Sequence, residues 1–152
     1  MKFKKEILER IMNEVILEVE KAVEEGNSPF AAFLIDENGN IKYREHNTAA
    51  ADCNPTAHAE INLIKKACQD LKTKDLSNYC IISNAWSCSM CMSACIKAKI
   101  KNFVYGAPSE GDMNPNITIF DIKEKTSGDL NIVVGILEDK CKKQIEEARS
   151  KK

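Results

Sequence analysis

Four residues in this chain have types and spacings that suit a metal centre. His58 and Glu60 form an H-x-E pair, and Cys88 and Cys91 form a C-x-x-C pair about thirty residues later. Zinc accepts histidine nitrogen and cysteine sulfur, and a catalytic zinc site uses three protein ligands and leaves the fourth position to water. His58, Cys88 and Cys91 are such a set. The pattern therefore predicts a zinc site with one open coordination position.

Glu60 needs a separate argument, because residues two apart on a helix point roughly 200° away from each other. His58 and Glu60 can converge only on something beyond the N-terminal end of their helix, toward which side chains lean. A metal at the first helical turn meets that requirement. Zinc lowers the pKa of its bound water to about 7, and a neighbouring carboxylate can take that proton and pass it to a leaving group. We therefore predict that Glu60 is a proton shuttle and not a ligand.

A structural zinc site is the alternative for the same cysteines. Cys95 follows Cys91 by one helical turn on the same predicted face, and a Cys₃His set would complete the tetrahedron. Cys95 lies two turns from the helix start, however, which favours a core position for it. Core positions are also expected for the cysteines at 68, 80 and 141. Each motif alone is weak evidence, because a lone histidine or C-x-x-C is more often structural. Their combination favours the metal.

Hydrophobic periodicity predicts the elements that must position these residues. A helix is expected from Ile7 to Val23, ended by Gly26, and another from the Asn54-Pro55 pair to Leu71, with Asn54 as N-cap. Strands are expected at PFAAFLI and IKYRE, paired as a hairpin, and at YCIIS, NFVYG and NIVVGI. Helices are expected at 88–99 and 137–150, whereas ITIFDIKEKT fits either a strand or a short helix. The predicted class is α/β, with helices covering a sheet of about five strands.

Composition limits the classes of protein that fit. The chain has 152 residues, 43% of them apolar and 30% charged, with a net charge of −1. This length predicts a single domain over 1–152, and the charge lacks the basic excess typical of nucleic-acid binders. The polar N-terminus is unlike a signal peptide, and no apolar run is long enough for a membrane span. Together with the odd number of cysteines, seven, this favours a cytoplasmic protein with reduced thiols.

The residues around the motif add a resemblance. An HN pair at 46–47 followed by NPTAHAEINLIKKAC resembles the cytidine/deoxycytidylate deaminase-like superfamily, and is most similar to the branch of guanine deaminases and tRNA adenosine deaminases. The resemblance implies a three-layer α/β/α fold, a homodimer, and one Zn²⁺ per chain on the three ligands above, with Glu60 as shuttle. It also implies that Asn47 hydrogen-bonds the substrate, and that the backbone N–H groups of Ala59 and Cys88 contribute.

The chain departs from this family just before its first cysteine ligand. Members usually read E-P-C-P-M-C, whereas this chain reads W-S-C-S-M-C, so Trp86 and Ser87 replace a glutamate and a proline. Residues at these positions line the pocket in relatives, and we therefore expect Trp86 and Ser87 to contact the substrate. Trp86 has two open interpretations. It is either a core residue or a stacking platform for a flat heterocycle.

These observations predict a zinc-dependent aminohydrolase that replaces the exocyclic amine of a free nucleobase or related amino-heterocycle with oxygen from water and releases ammonia. A guanine-type purine is the preferred substrate on branch resemblance, with cytosine or a cytosine nucleoside as an alternative. A tRNA adenosine deaminase is a further alternative, but the net charge makes nucleic acid an unlikely partner. A non-catalytic structural-zinc protein is the alternative outside enzymology. It leaves Glu60 without a role.

Overall fold

A computed structural model describes residues 1–109 and 113–151 and contains five strands and six helices in those residues. The strands are β1 (Ala31–Ile35), β2 (Ile41–His46), β3 (Cys80–Ala85), β4 (Asn102–Ala107) and β5 (Asn131–Val133). The helices are α1 (Lys5–Glu24), α2 (Ala49–Asp52), α3 (Ala59–Leu71), α4 (Ser89–Lys97), α5 (Ile119–Lys125) and α6 (Glu138–Ser150).

The strands form one mixed sheet in the order β2-β1-β3-β4-β5. Strand β1 is antiparallel to both β2 and β3, whereas β3, β4 and β5 are parallel to one another. The predicted hairpin and the predicted parallel pair around α4 are both present. The start of β1 lies beside the end of β3, where Ala32 pairs with Ser83, and Ala85 pairs with Ala107 of β4. The segments that follow β3 and β4 therefore leave the sheet at the edge where β1 begins.

Two hydrophobic cores cover the two faces of this sheet. One core joins α1 and α6 to alternate residues of the strands, and the other joins α3, α4 and α5 to the remaining residues. Helix α1 buries Ile11, Val15 and Val19 along one side, and full burial of such a side chain contributes about 1.5–3 kcal/mol. The predicted three-layer α/β/α architecture is confirmed.

The start of α3 differs from the prediction. The helix begins at Ala59, and its N-cap is His58. Asn54 instead accepts hydrogen bonds from the backbone N–H and the hydroxyl of Thr56, so the Asn-Pro signature organises a turn before the helix. The buried face of α3 carries Leu63 and Ala67. Leu71, the last residue of the helix, is 39% exposed.

The ambiguous segment ITIFDIKEKT is helical over most of its length, from Ile119 to Lys125. Thr118 caps α5 by accepting from the backbone N–H of Asp121, and the Asp121 carboxylate accepts from the Thr118 backbone N–H. This capping box satisfies two N–H groups that the first turn would otherwise leave unpaired. It fixes the start of the helix that packs against α4. Within residues 1–109 and 113–151, no helix has the length and apolar character needed to span a lipid bilayer.

Candidate active site

Two helix N-termini meet at the edge of the sheet where β1 begins. His58 is the N-cap of α3, and Cys88 is the N-cap of α4 and directly follows the segment that leaves β3. Both residues have extended backbone, and neither uses its side chain to cap its own helix. The two side chains therefore point beyond the helices that they begin, and the N–H groups of both first turns favour negative charge there.

The three predicted metal ligands lie together. The His58 Nδ1 atom is 3.6 Å from Cys88 Sγ and 3.4 Å from Cys91 Sγ, and all three ligand atoms lie within 4.8 Å of one another. A tetrahedral zinc with Zn–N near 2.0 Å and Zn–S near 2.3 Å requires N···S separations of about 3.5 Å. The observed separations fit such an ion. The donor set also matches its preference for imidazole and thiolate.

A hydrogen bond between the two thiols shifts their pKa values in opposite directions. The hydrogen bond from Cys91, joined by one from His58, lowers the pKa of Cys88 to about 4 despite partial burial. The same hydrogen bond raises the pKa of Cys91 above its ordinary value, and burial adds to this. A divalent cation at this position would displace the second proton, because zinc binds cysteine as thiolate. The pair is thus prepared for a metal.

Cys95 lies outside this cluster. Its side chain is fully buried in the core between the sheet and the second helix layer, and burial raises the pKa of its thiol well above the ordinary value. The metal-ligand cluster among the described residues comprises His58, Cys88 and Cys91 without it. This arrangement agrees with a three-ligand site that keeps a fourth position open, and not with a Cys₃His structural site.

Glu60 lies in the first turn of α3 and points into the same region. It is only 6% exposed, and burial raises the pKa of its carboxyl group, although a hydrogen bond with the Ser87 side chain opposes this. A buried carboxyl group with a raised pKa can hold and release a proton near neutral pH. His58 and Glu60, which point away from each other along the helix, both line one cavity at its N-terminal end.

That cavity has a volume of about 550 Å³, within the range of about 300–1,000 Å³ typical of small-ligand sites. It is lined by His58, Glu60 and Cys88, by residues just before β1 and at the end of β3, and by the segment before α5. Phe30, Met113 and Ile117 line it and were not selected from the sequence. No motif marks them, because they become neighbours of the ligands only through the sheet.

Of the predicted substrate-contact residues, Asn47, Trp86 and Ser87 line the cavity. Asn47 is 4% exposed, and its side-chain oxygen accepts from the Ala49 backbone N–H, which leaves its NH₂ group as the donor for a ligand. Ala59 is the first residue of α3 and its side chain is fully buried in the core. Only its backbone N–H, at the helix start, remains a candidate for ligand contact.

Trp86 lies both in the cavity lining and against the hydrophobic core. It also makes an edge-to-face contact with Phe120 at 5.4 Å between ring centroids. Its indole Nε1 is buried and has no hydrogen-bond partner among the described residues. Leaving a buried donor unpaired costs about 1–3 kcal/mol. An acceptor on a bound ligand would remove this cost.

His46 and Asn62 organise the segment that carries Asn47. His46 ends β2, with its ring between Glu18 and Glu25 at 2.6 and 2.8 Å. Burial lowers the His46 pKa, but hydrogen bonds to the two carboxylates outweigh it and raise the pKa overall. Asn62 donates to the His46 carbonyl and to Thr48. Asn62 lies four residues after His58, and residues at this spacing lie on the same face of a helix.

Comparison with known proteins agrees with this site. The model of the cytidine and deoxycytidylate deaminase zinc-binding region matches residues 5–107. A tRNA-specific adenosine deaminase from Bacillus subtilis is 32% identical over 135 residues, which cover 88% of this chain and 83% of the relative.

Two solved structures have the same fold. A protein from a study of A-to-I editing by tRNA deaminases acting at the wobble position is similar with a TM-score of 0.76 and 25% identity, covering 88% of this chain and 96% of that one. Guanine deaminase from Nitrosomonas europaea is similar with a TM-score of 0.84 and 23% identity, covering 93% of this chain and 84% of that one. At that identity, the guanine deaminase supports the fold alone.

The predicted substrate and partner need correction. The preference for a guanine-type free base, and the expectation that nucleic acid is an unlikely partner, are wrong, because the sequence relatives are named tRNA-specific adenosine deaminases. The guanine preference rested on branch resemblance, which does not separate enzymes that share zinc ligands and fold. The argument against nucleic acid rested on a net charge of −1, and that sum does not describe the charge near the cavity.

The match to the family model covers more than half of the chain and includes every element that carries the three ligands and Glu60. The His58, Cys88 and Cys91 cluster supplies the donors and the separations that one zinc ion requires. The chain therefore belongs to the family defined by the cytidine and deoxycytidylate deaminase zinc-binding region, and is a zinc-dependent hydrolytic deaminase with one Zn²⁺ per chain.

Proposed function

We propose that this protein deaminates adenosine to inosine in tRNA. The observation that carries the proposal is the 32% identity to a tRNA-specific adenosine deaminase, which spans 88% of this chain and 83% of the relative. A likeness of this extent covers the whole cavity region and not the zinc motif alone. The wobble-position editing described for the structurally similar protein suggests the same position in tRNA as the target.

The reaction replaces the exocyclic amine of adenine with oxygen from water and releases ammonia. His58, Cys88 and Cys91 would hold the zinc ion, which supplies Lewis acidity that activates water. Glu60 would take one proton from the attacking water and deliver it to the ring nitrogen. It would then carry a second proton, from the newly added hydroxyl, to the amine, which leaves as ammonia. Asn47 would orient the base through its NH₂ group, and Trp86 would form one wall for the base.

A positive charge lies beside the cavity. The Arg149 guanidinium, near the end of α6, is stacked over the Phe30 ring at 5.6 Å from its centroid, and Phe30 lines the cavity. A guanidinium in this position contributes positive potential near the cavity, and positive potential attracts the phosphates of a polynucleotide. This local contribution is compatible with a nucleic-acid substrate, although the net charge of the chain is −1.

The proposal also treats residues 1–152 as one domain, because both hydrophobic cores pack on a single sheet. The homodimer implied by the family resemblance stays a prediction. Sedimentation of the zinc-loaded protein would decide it.

Inosine formation in tRNA tests the proposed function. Zinc-loaded protein should convert adenosine to inosine in a transcript with adenosine at the wobble position, and should release no ammonia from guanine, adenine or cytosine. Arg149→Gln should weaken tRNA binding and lower the slope of log K against log salt by about 1. Lys99→Gln is the matched control, because Lys99 follows α4 at the end away from the cavity and pairs with Asp75. Turnover of a free base with no action on tRNA would overturn the proposal.

Trp86 should contribute to binding of the reacting base. Stacking on an aromatic side chain is worth about 1–3 kcal/mol per base, so Trp86→Ala should raise KM by roughly tenfold with zinc still bound. Trp86→Phe should restore much of the loss, because an aromatic face remains. Phe120→Ala is the control, since Phe120 packs against Trp86 and is 42% exposed. A fall in Tm with an unchanged KM for Trp86→Ala would assign Trp86 to the core alone.

A further inference from the structure

The ring of His46 lies between two carboxylates of α1. Its Nδ1 atom is 2.6 Å from Glu18 Oε2, and its Nε2 atom is 2.8 Å from Glu25 Oε2. The side chains of His46 and Glu18 are mostly buried, whereas that of Glu25 is 53% exposed. A neutral imidazole has one N–H and one lone pair, so it can donate to only one of the two carboxylates. An imidazolium donates to both, and the geometry therefore indicates a protonated ring.

His46 is the last residue of a strand at the edge of the sheet. Strand β2 is first in the strand order and pairs with β1, so within the described residues it has a neighbouring strand on one side. The ends of edge strands are prone to local opening, because fewer backbone hydrogen bonds hold them. Here the two helical layers supply the missing contacts. The His46 ring is bound by α1 on one face of the sheet, and its carbonyl accepts from the Asn62 side chain of α3 at 3.1 Å on the other.

The next residue in the chain, Asn47, lines the cavity. Its backbone N–H donates to the carbonyl of Phe30 at 2.9 Å, and Phe30 also lines the cavity. Its side-chain oxygen accepts from the Ala49 backbone N–H at 3.0 Å. Because one planar peptide unit joins His46 to Asn47, a movement of His46 also moves the Asn47 amide. The contacts of the His46 ring therefore influence a residue that faces the ligand.

We propose that His46 is a positioning residue for the reaction: its imidazolium, held between Glu18 and Glu25, fixes the end of β2 and keeps the Asn47 amide in place in the cavity. His46 acts through Asn47 and does not itself touch the substrate. The inference rests on the proposed function in that Asn47 contacts the reacting base. It does not depend on whether that base belongs to tRNA.

The charge of the His46 ring makes this positioning dependent on pH. Burial lowers the pKa of His46, but the hydrogen bonds to Glu18 and Glu25 outweigh burial and raise the pKa above its ordinary value. The other groups packed nearby are two cations and two side chains that do not titrate: Lys21, which pairs with Glu18 at 3.4 Å, Arg149, which stacks on Phe30, Ala31 and Asn62. Both ring contacts are therefore complete below about pH 6.5, and one is lost as the pH rises through the raised pKa.

Removal of the ring and its charge is the first test. His46→Gln should raise KM about fivefold, the loss expected when one hydrogen bond to the base is weakened, with kcat and zinc content unchanged. In an Asn47→Ala background it should add little, because His46 acts through Asn47. Arg44→Gln is the matched control, since Arg44 lies on the same strand and pairs with Glu14 of α1 at 3.1 Å. A normal KM in His46→Gln, or an equal rise in Arg44→Gln, would overturn the inference.

A readout that needs no substrate separates this inference from the proposed function. The chain has two histidines, and His58 would be held by zinc, so the imidazole that titrates in ¹⁵N NMR spectra of zinc-loaded protein belongs to His46. Its midpoint should lie above about pH 6.5, and the Asn47 side-chain NH₂ signal should shift with the same midpoint. An Asn47 signal that does not follow the His46 titration would refute the positioning role.

Glu25→Gln links the two measurements at an exposed position. Loss of one carboxylate should lower the His46 midpoint, and the pH at which KM rises should fall by the same amount. A role in packing alone predicts no such parallel shift, and its absence would overturn the inference. Linked titrations of His46 and Asn47 in a protein that deaminates another substrate would refute the tRNA proposal and keep this one.

Discussion

Replacing Glu60 with glutamine should lower kcat by at least about a hundredfold, because general acid–base catalysis contributes about 10²–10⁴-fold and an amide cannot carry the proton. The substitution keeps the size of the side chain and one acceptor oxygen. Zinc content should be unchanged, since the ligand cluster does not include Glu60. The measurement is single-turnover inosine formation together with metal analysis of the same preparation.

Glu45→Gln is the matched control for this prediction. Glu45 lies on β2 and pairs with Lys66 on the surface of α3, so the same chemical change is made outside the cavity. This variant should retain both its rate and its metal. Near-normal turnover in Glu60→Gln would eliminate the proposed proton transfer. Loss of zinc from it would instead place Glu60 among the ligands.

Removal of a metal ligand should have an equally large effect by a different route. Cys88→Ala and Cys91→Ala should each lose the zinc and all measurable activity, because two protein donors do not hold the ion in a catalytic geometry. Wild-type protein should contain one zinc per chain. Chelation followed by readdition of Zn²⁺ should abolish and then restore the activity of the wild type, and should leave both variants inactive.

Cys95→Ala distinguishes the catalytic site from a structural one. Cys95 lies in the core, so alanine there should lower Tm modestly while zinc stoichiometry stays at that of the wild type. Cys141→Ala is the control for a buried cysteine remote from the metal, packed in the core on the other face of the sheet. Loss of zinc from folded Cys95→Ala, with Cys141→Ala intact, would favour the Cys₃His arrangement.

The metal centre was predictable because its chemistry is local in two short motifs. Each of His58, Cys88 and Cys91 has a side chain that zinc prefers, and the C-x-x-C spacing places two sulfurs on one helical turn. The class of fold was predictable for a related reason. Apolar runs bounded by turn residues identified all five strands, and the parallel pair β3–β4 followed from the helix between them.

The substrate was not predictable by the same means. The whole-chain charge of −1 pointed away from nucleic acid, whereas Arg149 lies beside the cavity through its contact with Phe30. The net charge does not say where the charged side chains lie. A phosphate interacts mainly with the charges within about one Debye length of it. The two residues are far apart in the sequence. They become neighbours only when α6 packs against the sheet.

By itself, the sequence identified the three residues that cluster at the starts of α3 and α4, the Glu60 side chain that lines the same cavity, and the segments that form the sheet, because these depend on residue type and short spacing. Tertiary structure decided that α3 begins at Ala59, since the Asn54 signature is used in a preceding turn. It also decided that Tyr105 reaches Ser87 behind Glu60. Strands β3 and β4 are neighbours in the sheet, and the register between them sets which side chains are in contact. This register cannot be read from the sequence of either strand alone.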